Sequence, residues 1–106
     1  MKIEFAEDYL RELYEEGRSI NKKYRFQLPV IRQYKNTVDK LKAARRIEDL
    51  FVFKSLNYEK LTGDKKGFES VRVNQQFRIL FISRIEGNVP DVFTICLLTE
   101  LSKHYQ

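Results

Sequence analysis

Arg78 stands inside the apolar run FRILF, residues 77–81. A guanidinium placed in such a strand loses water and needs compensation from an anion. Two readings follow. One is an internal ion pair with a carboxylate such as Glu59 or Glu100. The other is a planar fork at the floor of a concave site, able to grip a phosphate with two parallel N–H donors. Further cations gather in the same part of the chain. Lys60 flanks the turn LTGDKKG, which contains the pair Lys65–Lys66, and Arg72 sits in FESVRV. If these segments pair as hairpins, Lys60, Arg72 and Arg78 converge on one hollow. Lys54, Lys65 and Lys66 read as steering charges for a nucleic-acid backbone, against the plainer reading of solvated turn lysines. His104 is the single histidine, and its ordinary pKa of about 6.5 allows proton transfer near neutrality. Tyr105 and Phe68 are flat rings able to stack on a base.

The composition bounds the partners. At 106 residues the chain is expected to form one domain, spanning 1–106. Its net charge of +5 and pI near 9.4 favour polyanions, either nucleic acid or an acidic protein. No apolar run approaches the ~20 residues of a membrane span. The acidic start MKIEFAED is unlike a signal peptide, so the cytoplasm is the expected compartment and no membrane partner is expected. Cys96 is alone, in the apolar run VFTICLL. It reads as a buried, inert thiol, with no disulfide, metal cluster or cofactor implied.

The elements that must position these groups can be read from periodicity. KIEFA alternates like a short strand. Leu10, Leu13 and Tyr14 have helical spacing over 6–16, and Gly17 can stop that helix. Pro29 suits the first turn of a second helix, whose apolar face runs through Val30, Ile31, Tyr34, Val38, Leu41 and Ala44. Lys35, Lys40, Lys42, Arg45 and Arg46 would form its solvated face. FVFKSL could finish that helix or lead out of it. NYEKL, FESVRV, FRILFIS and VFTICLLTEL read as strands, separated by TGDKKG, NQQ and GNVPD turns. In FESVRV, Phe68, Ser70 and Arg72 share one face, and Glu69, Val71 and Val73 the other. SKHYQ would leave the sheet as a tail. The order implies an α+β fold: an N-terminal strand and a two-helix hairpin packed on a curled, mostly antiparallel sheet of four to five strands.

The turn LTGD with its following glycine, the segment SVRVN and the pair Phe77–Arg78 carry a resemblance spanning residues 56–82. They resemble the RelE/ParE toxin superfamily, in particular its HigB branch. The resemblance implies a RelE-like fold and a toxin of a type II toxin–antitoxin pair. It also implies ribosome-dependent, metal-independent cleavage of messenger RNA in the A site. The implied partners are the ribosome, its message and a HigA-type helix-turn-helix antitoxin; the chain would be a monomer alone and a hetero-oligomer with the antitoxin. Arg78 matches the family's strand arginine at the scissile phosphate, and Lys60 a position that is basic in RelE-like members. The ending His104–Tyr105 is similar to that of HigB toxins, without their acidic residue and in a different order. Glu59 stands where such toxins can carry a histidine.

Cutting RNA through its own 2′-hydroxyl needs a base, cations for the phosphate oxygens and an acid for the leaving 5′-oxygen. On this reading Arg78 stabilises the phosphate with Lys60 and Arg72 assisting. His104 transfers the proton with Glu59 as partner or base, and Tyr105 and Phe68 stack on a nucleotide. Two other classes remain open. One is a pure binding module, either a toxin-fold protein that has lost catalysis or a ParE-like member that binds gyrase; in the latter, Arg78 would pair internally. The other is a basic nucleic-acid-binding domain without catalysis.

Overall fold

The two helices follow from the apolar spacing. Tyr9, Leu10 and Leu13 bury one face of α1 (Asp8–Glu15). Gly17, at φ 76, turns the chain out of it. In α2 (Leu28–Ala43), Pro29 occupies the first turn, where a missing N–H breaks no helical bond. Ile31, Tyr34, Val38 and Leu41 form its buried stripe. The Tyr34 hydroxyl donates to the Leu10 carbonyl at 2.7 Å and fastens the helices together. Lys40, Lys42, Arg45 and Arg46 are exposed, as expected of a solvated face, while Lys35 is half-buried.

The computed structural model describes residues 1–103. It contains five strands: β1 (Lys2–Phe5), β2 (Glu59–Lys60), β3 (Glu69–Arg72), β4 (Phe77–Asn88) and β5 (Asp91–Lys103). They form one sheet in the order β1-β5-β4-β3-β2. β1 runs parallel to β5, and the other pairs are antiparallel. The expected α+β architecture is therefore present. Strand alternation divides the sheet cleanly. Val71, Ile79, Phe81, Leu98 and Leu101 join the helices in one core, which leaves Ser70, Arg72 and Arg78 for the opposite face. Thr99 is an extra residue at the register shift beside Leu80 and Phe81, and its hydroxyl donates to the Leu80 carbonyl at 3.1 Å.

Three segments differ from expectation. FVFKSL neither extends α2 nor runs straight. Short 3-10 turns at Ile47–Val52 and Lys54–Leu56 carry the chain across, anchored by buried Leu50 and Leu56. Of NYEKL only Glu59–Lys60 forms a strand, in register with Ser70 and Glu69, and the Leu61 N–H adds one bond to the Phe68 carbonyl at 2.9 Å. The last hairpin is longer than its apolar runs. β4 continues through Arg84–Asn88, a segment that is solvent-exposed throughout, Ile85 included, and Ser102 and Lys103 stay in β5 opposite Arg78 and Phe77 rather than opening the tail. Ladder hydrogen bonding holds these positions in the sheet although none of their side chains is buried. Cys96 is buried and free. Burial pushes its thiol up to about 12. Among the described residues no helix is long and apolar enough to cross a membrane.

Candidate active site

Arg72 and Arg78 are register partners in the β3–β4 ladder, and Ser102 continues the row on β5. The next row is Glu59, Ser70, Leu80 and Glu100. Partnered residues share a face, so the two arginines and Glu59 meet on the side of the sheet away from the helices. They line a small cleft with Asn57, Ser70, Asn74 and Phe77. Its cavity volume is about 20 Å³, room for one water-sized group. That suits a single oxygen of an anion better than a whole base.

Arg78 is half-buried. Its Nε is wholly buried and has no hydrogen-bond partner among the described residues. Neither Glu59 nor Glu100 forms an ion pair with it, nor does any other described carboxylate. The internal pairing weighed from the sequence is therefore not made by these groups. Glu59 instead accepts a hydrogen bond from Asn57 Nδ2 at 3.3 Å. Asn57 adopts a left-handed conformation, φ 43, at the end of its 3-10 turn.

The start of β4 is held from several directions. Asn74 Oδ1 accepts from the backbone N–H groups of Gln76 and Phe77, both at 2.8 Å. Its Nδ2 donates to Gln33 on α2, also at 2.8 Å. Phe77 packs edge-on against Phe26 with ring centroids 5.6 Å apart. Arg78 thus begins from a fixed backbone, which is what a preorganised anion grip requires.

The residues singled out in the sequence fall into two groups. Arg72, Arg78 and Glu59 come together in the cleft. Lys60 does not join them. It follows Glu59 in a two-residue strand, so alternation turns it to the opposite side, where it pairs in register with Glu69. Lys60 there lines one hollow with Lys54 and another with Lys66 and Phe68. Phe68 precedes the first residue of β3, so strand alternation does not hold it on the Arg72 face expected of it, and it does not line the arginine cleft. Lys65 is exposed, with its ammonium 5.9 Å from the Phe68 ring centre. His104 and Tyr105 lie outside the described residues. The last described residue, Lys103, pairs with Phe77, so β5 ends one position beyond the partner of Arg78.

Reasoning from the sequence missed Asn57, Ser70 and Asn74 as cleft residues. Ser70 was placed on the face of Arg72 without being assigned a role, and the N-Q-Q turn carried the only signal for Asn74. It also missed a buried carboxylate. Glu69 accepts from the Tyr58 hydroxyl at 2.6 Å and from the Ser83 N–H and hydroxyl at 2.9 and 2.6 Å. Burial, followed by this contact with Glu69, raises the Tyr58 pKa above the ordinary phenol range. Glu69 on the Val71 face of FESVRV was the available clue.

The family described as HigB-like toxin, a RelE-like toxin of the type II toxin–antitoxin system HigB, matches residues 3–94. The chain belongs to this family of type II toxins, and a toxin of this kind has an antitoxin partner. Among solved structures the chain is similar to a YoeB/ParE toxin from Agrobacterium tumefaciens, at 16% identity and a TM-score of 0.48. That match covers 99% of this chain and 100% of the other. No curated protein matches the chain.

Proposed function

We propose that the protein is a metal-independent endoribonuclease that cuts messenger RNA on the ribosome and so stops translation. It acts in the cytoplasm and is neutralised by a HigA-type helix-turn-helix antitoxin. A single observation carries this reading: the buried Arg78 Nε, without a partner among the described residues, stands beside Arg72 in a cleft sized for an oxygen. In the proposed reaction a base takes the proton of the 2′-hydroxyl, and O2′ attacks the adjacent phosphorus. The bond to the 5′-oxygen breaks, and an acid returns a proton to that oxygen. The products are a 2′,3′-cyclic phosphate and a 5′-hydroxyl. Arg78 and Arg72 take up the negative charge that builds on the phosphate oxygens. Glu59, in the same cleft, serves as base or as partner to His104, which we assign to proton transfer, and Tyr105 stacks on a nucleotide.

The gyrase-binding alternative expects Arg78 to be paired internally, and none of the described carboxylates pairs with it. Expression of wild type and Arg78→Ala in growing cells, with primer extension across translated messages, separates the readings. Cuts inside codons with wild type and their loss in the variant support the nuclease. Intact messages with blocked supercoiling would support a gyrase-directed toxin. Salt-sensitive RNA binding with neither effect would support a binding domain alone.

A further inference from the structure

We propose that the far side of β2 carries a second binding site, a trough for single-stranded RNA. It is lined by Lys54, Lys60 and Lys66 and by the rings of Phe51, Phe53 and Phe68. Two hollows, of about 530 and 690 Å³, share Lys60 as a common wall. Each lies in the ~300–1,000 Å³ range of small-ligand sites. The three lysines are exposed and form no ion pair among the described residues. Glu69, the register partner of Lys60, is already satisfied by Tyr58 and Ser83. Asp64, on the intervening turn, is solvent-exposed.

The rings are held outward by structure. Phe51 and Phe53 are 58% and 46% exposed, yet their 3-10 turns are anchored by buried Leu50 and Leu56. Phe51 also leans on Tyr58, and Phe68 is half-buried beneath Lys65, so the surface each ring offers is partial. Lysines interleaved with such partly exposed rings match the chemistry of single-strand binding, in which bases stack and ammonium groups follow the backbone. The location adds a constraint. Glu59 faces the arginine cleft and Lys60 the trough, and β2 is an edge strand. A chain leaving Arg78 over this edge enters the trough. Its occupant is thus the stretch of message flanking the cut, an identity that rests on the endoribonuclease reading.

The test uses the full chain and a fluorescent 2′-O-methyl RNA of about ten nucleotides, which offers no 2′-hydroxyl to react. Anisotropy across a salt series should show Lys54→Ala/Lys60→Ala/Lys66→Ala binding roughly tenfold more weakly, with the salt slope reduced by about 2. Phe51→Ala/Phe53→Ala should also bind roughly tenfold more weakly, with the slope unchanged. If thermal melts show the triple variant to be unfolded, Lys60→Glu repeats the measurement. Wild-type affinity in both sets would overturn the proposal, as would a glutamate-rich peptide that binds as tightly as the RNA and is lost with the same substitutions. Cleavage by Arg78→Ala at the wild-type rate, with the trough variants still weakened, would sink the reaction assignment and leave the trough standing. Loss of cleavage in Arg78→Ala with undisturbed RNA binding in the trough variants would do the reverse.

Discussion

Arg72 and Arg78 face each other across the β3–β4 ladder, with no described carboxylate in ion-pair reach of either. Like charges directly opposite destabilise a sheet, and a buried guanidinium nitrogen without a partner adds desolvation cost. Retaining both arginines makes sense if a dianionic or monoanionic group completes the cleft. Arg72→Gln should raise the free energy of unfolding by about 0.5 kcal/mol while weakening RNA cleavage. Urea denaturation beside a cleavage assay measures both. A variant that is less stable and fully active would remove the case for a strained anion grip.

The same geometry predicts ligand stabilisation. Inorganic phosphate or sulfate, bound by the folded state alone, should raise the melting temperature of wild type by mass action. The rise should be smaller for Arg78→Ala. Equal rises in the two proteins would place the anions elsewhere.

Much of this site was legible in the sequence. An arginine inside FRILF is conspicuous because the surrounding positions are apolar, and the alternation of FESVRV put Arg72 on the correct face. Lys60 was not legible. Its side depends on the phase of a two-residue strand, which the partners Ser70 and Glu69 set and no local pattern announces. The helices were readable from their three-and-four spacing. The parallel β1–β5 pair and the extended arm of β4 were not, since both rest on backbone pairing between distant or polar segments.

The Glu69 network should matter for stability. Tyr58→Phe removes one of three donors to a buried carboxylate. The expected cost is about 1–3 kcal/mol, read from the shift of the urea midpoint. A loss near zero would mean that water replaces the hydroxyl.

Gly87 lies next to the tip of the long hairpin at φ 94, where a Cβ would collide with the Asp91 carbonyl oxygen. Gly87→Ala should therefore cost more than about 1 kcal/mol. Amide exchange should quicken first across Arg84–Phe93. Unchanged exchange there would show that the turn relaxes freely.

Alkali should unfold the protein sooner than its core alone would suggest. Burial pushes the Cys96 thiol from 9.0 to about 12 and the Tyr9 hydroxyl from 10.0 to about 12. Below the unfolded values both states hold these protons, and the contribution is fully present. Above them the unfolded chain releases protons first, so stability falls as pH rises from about 9 towards 12. Urea midpoints at pH 8 and 10.5 should show the decline, and Cys96→Ala should flatten part of it. A flat profile in wild type would contradict the sign.

The most direct measurement is single-turnover cleavage of a ribosome-bound message by purified wild type, Arg78→Lys and Arg78→Ala. Removing the guanidinium should slow cutting roughly 10²–10³-fold. Lysine should recover only part of the rate, because a point charge replaces a two-pronged donor. Cleavage by Arg78→Ala at the wild-type rate and at the same positions would show that residue 78 does not hold the reacting phosphate.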